Sequence, residues 1–203
     1  MNNLKKIILL LLLSPFLSSS YYYEEAAFGP ASYPVIGAYW QEPPTIKVCK
    51  TLRISKSRVE KALNHWRKLG YTFEEVIYDD ESISCAGKPL YGEIIITIPG
   101  QDFDYKNIAI TKRTMILPQI WIPGDDFTNE NVGALIYARI FLQEKEVTKE
   151  RVLEHEIGHA LGWDHTARKY HLMHKSWESG GYDSTGLKYE RYQELYELIK
   201  LMR

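Results

Sequence analysis

Apolar side chains recur at helical spacing in three parts of the chain. Over residues 57–69 they return every three or four positions, which predicts an amphipathic helix with one buried face. Ser57 and Glu60 have the spacing of a capping box at its start, and Gly70 supplies its stop. A second helix is expected after Thr148, a good N-cap. The apolar positions are Val59, Ala62, Leu63, Trp66 and Leu69 in the first helix, and Val152, Leu153, Ile157, Ala160 and Leu161 in the second.

Shorter apolar runs, punctuated by Pro-Gly pairs, predict strands. The apolar run 134–142 fits either a strand or a helix. Helical spacing from Tyr192 to Met202 predicts a last helix packed on the body. This order of elements, ending in a loop-rich tail and a helix, predicts an α+β fold. The runs expected to form strands are residues 45–51, 71–78, 91–98, 107–114 and 116–122.

The first twenty residues have the layout of a secretory signal peptide. Lys5 and Lys6 precede the unbroken apolar run 7–13, and small residues follow up to Ser20, where cleavage is expected. A membrane anchor is the alternative, but the run is far shorter than the roughly 20 apolar residues that cross a bilayer. We therefore expect a secreted protein, extracellular or periplasmic in a Gram-negative cell, with no stable membrane anchoring after cleavage.

The rest of the chain divides by its composition. Residues 21–44 are rich in Tyr, Gly, Ala and Pro and lack periodicity, so we expect an extended N-terminal arm that lies on the body. Residues 45–203 are expected to form a single domain. Within it, residues 45–162 form an N-terminal subdomain and residues 163–203 a smaller C-terminal one.

Composition and charge exclude several classes of protein. The chain of 203 residues is 45% apolar and 13% aromatic, which excludes a disordered or collagen-like chain. Its 25 basic and 26 acidic residues give a net charge of -1, so no basic surplus points to nucleic acid. We expect no nucleic-acid partner, and a monomer.

The two cysteines, Cys49 and Cys85, are too few for a disulfide-rich scaffold. In an exported protein a lone pair within one domain is expected to form a bridge. The alternative is a thiolate that caps a metal in a latent form.

Five of the six histidines lie between residues 155 and 174. On a helix, His155 and His159 project from one face, one turn apart, and can bind one metal ion. Gly162 can end the helix in a left-handed turn that returns His165 as a third ligand. Three neutral nitrogens on a tetrahedral ion leave one position open, as in catalytic zinc sites. Glu156, beside the first ligand, is then the candidate general base.

The pattern His155-Glu156-x-x-His159-x-x-Gly162-x-x-His165 resembles the full zinc-binding signature of the metzincin metallopeptidases. That clan also has a methionine turn below the metal, and the resemblance assigns this place to Met173. It implies a twisted, mostly parallel sheet with a backing helix, an active-site helix and a small loop-rich C-terminal subdomain. It further implies a zinc endopeptidase that acts on a protein or peptide.

The resemblance is to the matrixin and astacin branches. In the astacin turn a Tyr follows the Met-His pair and can swing onto the metal, but Lys175 stands at that place here. Tyr182 fits a pocket or packing role instead. By resemblance, the loop at about residues 175–186 walls the pocket for the first substrate residue past the cut.

Three alternatives stay open at this point. An exported zinc-binding protein without turnover is the rival function, although a metal-only site has no need of Glu156. His171 and His174, which flank Met173, could hold a second zinc. Structural calcium is possible at aspartates that otherwise serve as turn formers. These aspartates are Asp79, Asp80, Asp102, Asp104, Asp125 and Asp126.

Overall fold

The computed structural model describes residues 33–101, 103–116 and 128–201. The expected signal peptide and the first part of the N-terminal arm lie outside these ranges, as does most of the run 116–122. No helix within the described ranges is long and apolar enough to cross a membrane.

These ranges form an α+β structure with six strands and three α-helices, so the predicted fold class is confirmed. The strands are β1 (Ile36–Tyr39), β2 (Thr45–Cys49), β3 (Val76–Asp80), β4 (Glu93–Thr97), β5 (Ala109–Ile116) and β6 (Thr128–Leu142). The helices are α1 (Lys56–Lys68), α2 (Val152–Ala160) and α3 (Tyr189–Leu201), and Glu144–Glu146 is a short 3₁₀ turn.

The sheet is mostly parallel. Strands β3, β2, β4 and β6 are neighbours in that order and run in one direction. The first half of β6 also pairs in parallel with β1, where Ala38 lies opposite Gly133. Strand β5 runs antiparallel along β6, with Thr111 opposite Ile140. Within the described residues, the far edge of β5 pairs with no strand.

Strand β4 lies at the centre of the sheet and is covered on both faces. Ile94, Ile95 and Ile96 are consecutive and wholly inaccessible, which is the pattern of a buried parallel strand. Helix α1 packs its apolar side, including Trp66, into the same core. The Trp66 indole N–H donates to the Glu154 backbone carbonyl at 2.9 Å, and this bond joins α1 to α2.

Helix α1 confirms the predicted helix, but its cap differs. Ser55, not Ser57, caps the helix, and its hydroxyl accepts from the Arg58 amide at 3.2 Å. Glu60 does not close a capping box, because its carboxylate binds Arg67 and the Tyr78 hydroxyl. The helix ends as expected, before Gly70 at φ +98°.

Helix α2 begins later than predicted. Thr148 is not its N-cap, since the helix starts at Val152 after Arg151, which has φ +67°. A left-handed residue cannot continue a right-handed helix, so any helix from Thr148 would break there. The Arg151 guanidinium donates to the Trp177 carbonyl at 3.2 Å, a distant contact that local sequence does not reveal.

The N-terminal arm was predicted without a strand of its own, and this is wrong for residues 36–39. Strand β1 is buried along its whole length and pairs with β6. The strand predicted at 71–78 begins only at Val76, and 134–142 is the end of the long strand β6. The four residues of β1 give too short a pattern to be recognised from the sequence. Pairing within the sheet decides where β3 begins and that residues 134–142 form a strand.

The predicted disulfide is confirmed: Cys49 and Cys85 are bonded. The bridge joins the end of β2 to the segment between β3 and β4 and closes a loop of 36 residues. A loop of this length contributes about 4 kcal/mol in the chain-entropy treatment. With both thiols in the bridge, the alternative of a thiolate that caps a metal is excluded.

Candidate metal and catalytic site

The three histidines of the motif meet at one point. The His159 Nε2 lies 3.0 Å from the Nε2 of His155 and 3.0 Å from that of His165. Within the described part of the chain, this is the one group of three or more metal-type side chains whose ligand atoms converge. Helix α2 presents the first two, and the loop after Gly162 brings the third.

Hydrogen bonds to the backbone orient two of the three rings. The Nδ1–H of His155 donates to the Leu172 carbonyl and that of His159 to the Trp163 carbonyl, each at 2.7 Å. Each bond fixes the tautomer that leaves the Nε2 lone pair free. Burial lowers the pKa of His155 and, further, that of His159, so both rings are neutral at pH 7.

This donor set fits zinc. Zinc–nitrogen bonds of about 2.0–2.1 Å in a tetrahedron place the nitrogens about 3.3 Å apart, close to the separation seen here. Neutral imidazoles whose other nitrogen is held by a carbonyl are typical zinc ligands. A set of three leaves a fourth position for water or substrate.

Glu156 is buried next to the first ligand. The Thr111 hydroxyl on β5 lies 2.6 Å from its Oε2 and 3.0 Å from its backbone carbonyl. Burial raises the pKa of Glu156 to about 7, and the bond from Thr111 opposes this rise. A carboxyl group with this pKa can both accept and release a proton near neutral pH.

The turn that brings in the third ligand is held by β1. Gly162 has φ +109°, and its carbonyl accepts from the amides of Gly37 and Ala38 at 2.9 and 3.3 Å. A Cβ on Gly162 would overlap the Ala38 carbonyl oxygen. The Asp164 amide donates to the Val35 carbonyl at 2.9 Å, so the turn is fixed on both sides of its bend.

An ion pair connects this loop to β5. The Arg113 guanidinium lies 2.6 Å from an Asp164 carboxylate oxygen, and Asp164 directly precedes His165. Gly37 makes room for the same carboxylate, since a Cβ there would overlap it. The sheet thereby holds the backbone of the third ligand in place.

Met173 packs against α2 and is wholly inaccessible; its place below the metal stays a prediction. Gly158 of α2 lies against this side chain, and a Cβ there would overlap the Met173 sulfur and come within 2.8 Å of Trp66 Cζ2. His171 braces this turn: its Nδ1 accepts from the Met173 amide and its Nε2–H donates to the Thr185 carbonyl, each at 3.0 Å.

The other candidates take structural places. His171 and His174 converge with no other metal-type side chains of the described ranges, so a second zinc there gains no support. Tyr182 lies beside His65 of α1, with ring centroids 6.4 Å apart, which agrees with a packing role. His65 itself is partly buried, and its Nε2 lies 3.1 Å from the Ser184 hydroxyl.

The described aspartates make the contacts of turn formers. Asp80 binds the Ser82 hydroxyl at 2.6 Å, and Asp104 accepts from the Lys106 amide at 3.0 Å, as turn-forming aspartates do. Among the described residues, Asp79, Asp80 and Asp104 belong to no convergent group of metal-type side chains. The remaining three candidates, Asp102, Asp125 and Asp126, lie outside the described residues.

Comparisons with known proteins add no relative to this picture: no protein-family model matches the chain, and no curated protein matches it.

Four residues of the site were not singled out from the sequence. Thr111 and Arg113 lie on β5, about 45 residues before the motif in the sequence. No local pattern connects these two residues to the motif. Gly37 and Gly158 carry a weak signal. A glycine inside a helix costs about 1 kcal/mol relative to alanine, so Gly158 between two histidines indicates a close packing contact.

Proposed function

We propose that the chain is a secreted zinc endopeptidase of the metzincin type. The observation that supports this best is the joint placement of three convergent imidazoles and a buried carboxylate on one helix and its following turn. The buried methionine packed against α2 and the mostly parallel sheet agree with the same proposal.

The roles of the residues follow from their chemistry. Zinc held by His155, His159 and His165 would supply a Lewis acid for the scissile carbonyl and activate water near neutral pH. Glu156 accepts the proton of the attacking water and passes it to the leaving amine. The bonds from Nδ1 of His155 and His159 keep both rings in the ligating tautomer throughout.

Strand β5 is the place for an extended peptide. Its far edge pairs with no strand in the described part of the chain, so its amides and carbonyls can bind a substrate backbone. Thr111 of the same strand touches Glu156, which places the edge next to the base. The substrate would run along this edge, with residues 175–186 beyond the metal.

That loop is anchored firmly to the start of α2. The Trp177 ring lies under two cations, with Lys149 Nζ at 4.3 Å and the Arg151 guanidinium at 4.9 Å from its centroid. Its indole N–H donates to the Glu150 carbonyl at 3.0 Å. A fixed loop suits a wall of a binding pocket.

A zinc-loaded sample and a random peptide library test the proposal. Wild-type protein should cleave peptides, and Glu156→Gln should retain one zinc per chain while cleaving about 10²–10⁴-fold more slowly. Zinc content is measured on both samples before the assay. Equal rates for the two proteins would contradict the role of Glu156.

The rival function, zinc binding without turnover, predicts a different result. The wild type would then bind one zinc through the three histidines, and neither it nor Glu156→Gln would cleave any member of the library. Secretion has its own test, the N-terminal residue of the exported protein, which should be Tyr21.

A further inference from the structure

We propose that Thr111 is a positioning residue that sets the direction of the Glu156 carboxylate. Its hydroxyl donates to Oε2 at 2.6 Å, in the range of a short, charge-assisted hydrogen bond. One carboxylate oxygen is thereby occupied, and Oε1 is left to take the proton of the attacking water. This inference rests on the proposed peptidase function of the site.

The Glu156 carboxylate has a single side-chain partner among the described residues. Within the described residues, the Thr111 hydroxyl is the one side chain that hydrogen-bonds the Glu156 carboxylate, and no cation pairs with it. Glu156 is only 7% exposed, so bulk water does not replace a lost partner. A buried carboxylate with one partner depends on that partner for its rotamer.

Thr111 is itself held rigidly. Its strand β5 pairs with β6 from Ala109 to Ile116, and Thr111, opposite Ile140, has paired residues on both sides of it in this ladder. A side chain on a paired strand is placed more precisely than one on a loop. The sheet therefore fixes the Thr111 hydroxyl, and the hydroxyl in turn fixes the Glu156 carboxylate.

The same strand has the edge that no described strand pairs with and on which an extended substrate would lie. Thr111 thus joins the base and the substrate to a single strand, so the distance from the carboxylate to a bound peptide is set by β5. Displacement of a catalytic group by about 1 Å can cost 10²-fold in rate. We expect the effect in turnover, because substrate binding along the edge uses the backbone.

The test compares Thr111→Val, which has the same shape without the hydroxyl, with Thr111→Ser, which retains it. In the zinc-loaded proteins, Thr111→Val should lower kcat about 10- to 100-fold with KM unchanged, and Thr111→Ser should restore most of the rate. Thr45→Val removes a hydroxyl from β2, where its partner is the Glu74 carboxylate, and should leave both constants unchanged. Zinc content should be equal in all four proteins.

Crystal structures of the variants supply a readout that does not depend on activity. The Glu156 carboxylate should keep its rotamer in Thr111→Ser and leave it in Thr111→Val. An unchanged single rotamer in Thr111→Val, or wild-type kcat in that variant, would overturn the inference. If the wild type cleaves no peptide, the proposed function fails, and the rotamers alone still decide the role of Thr111.

Discussion

At the scale of single residues, Gly162 has the strictest requirement in the site. It combines φ +109° with a Cβ position that overlaps the Ala38 carbonyl oxygen. We expect Gly162→Ala to lose more than the roughly 1–3 kcal/mol of a left-handed non-glycine residue, because β1 must also shift. Zinc affinity should fall as well, since His165 follows this turn. Urea unfolding and chelator competition measure the two effects.

Gly87 provides a matched control for this substitution. It has φ +105°, almost the same backbone, but nothing lies within 4 Å of its Cβ position. Gly87→Ala should therefore show the backbone cost alone and leave zinc affinity unchanged. Equal free energies of unfolding for the two variants would show that contact with β1 contributes nothing.

The convergent histidines could be predicted from the sequence, whereas most of the groups that hold them could not. His155 and His159 are one helical turn apart, and Gly162 marks the end of the helix, so a local pattern is sufficient. Thr111 and Arg113 reach the site only because β5 pairs with β6 and lies against α2. No spacing along the chain encodes that contact.

At the scale of secondary-structure elements, β5 contacts both Glu156 and the loop that carries His165. We expect Arg113→Met to weaken zinc binding about 10- to 100-fold, as is common when a group that supports a metal ligand is removed. The physical reason is the loss of the ion pair to Asp164, whose neighbour is His165. Competition with a chromogenic chelator measures the affinity.

Lys112→Met is the control for this prediction. Lys112 is the next residue of β5, and its ammonium lies over the Phe141 ring, 5.7 Å from the centroid, away from Asp164. The Lys112→Met substitution removes one positive charge from the same strand and should leave zinc affinity unchanged. An equal loss of zinc affinity in Arg113→Met and Lys112→Met would show that the missing positive charge causes the effect and the missing ion pair does not.

Elements with a long periodic pattern were predicted well, and short ones were not. Helix α1 has five apolar positions in register, and its predicted span agrees with the structure within a residue at each end. Strand β1 has four residues and exists because β6 and the Gly162 turn offer hydrogen bonds on its two sides. The start of α2 depends on Arg151, whose left-handed backbone accompanies its contact with Trp177.

At the scale of the whole molecule, a buried ion pair on the sheet contributes to the response to acid. Burial alone would raise the pKa of Glu93, but bonds from Lys47, Ser84 and the Leu90 amide lower it below its usual 4.5. A carboxyl group with a lowered folded-state pKa stabilises the protein above the unfolded value, and this stability is lost as pH falls through the folded value. Acid should therefore destabilise the wild type below about pH 4.5.

Glu93→Gln tests this source of acid sensitivity. At pH 7 the variant should be less stable by about 3–5 kcal/mol, because Lys47, 2.6 Å from the Glu93 carboxylate, stays buried without its partner. Below pH 4.5 the difference from wild type should shrink. Urea unfolding between pH 3 and 7 measures both, with the exposed Glu42→Gln as control. A constant difference across this range would contradict the prediction.

Zinc should stabilise the whole fold, because its ligands come from parts of the chain that unfolding separates. His155 and His159 lie on α2, His165 lies on a turn fixed to β1, and that turn is also tied to β5 through Arg113. A ligand that binds only the folded state at about a thousandfold its Kd adds about 4 kcal/mol. For a chain of this length, that corresponds to a rise in Tm of roughly 8–16 °C. Calorimetry with zinc and with a chelator measures the shift, which should persist in Glu156→Gln and vanish when all three histidines are changed to alanine. An equal shift in the triple variant would show that zinc stabilises the fold from another site.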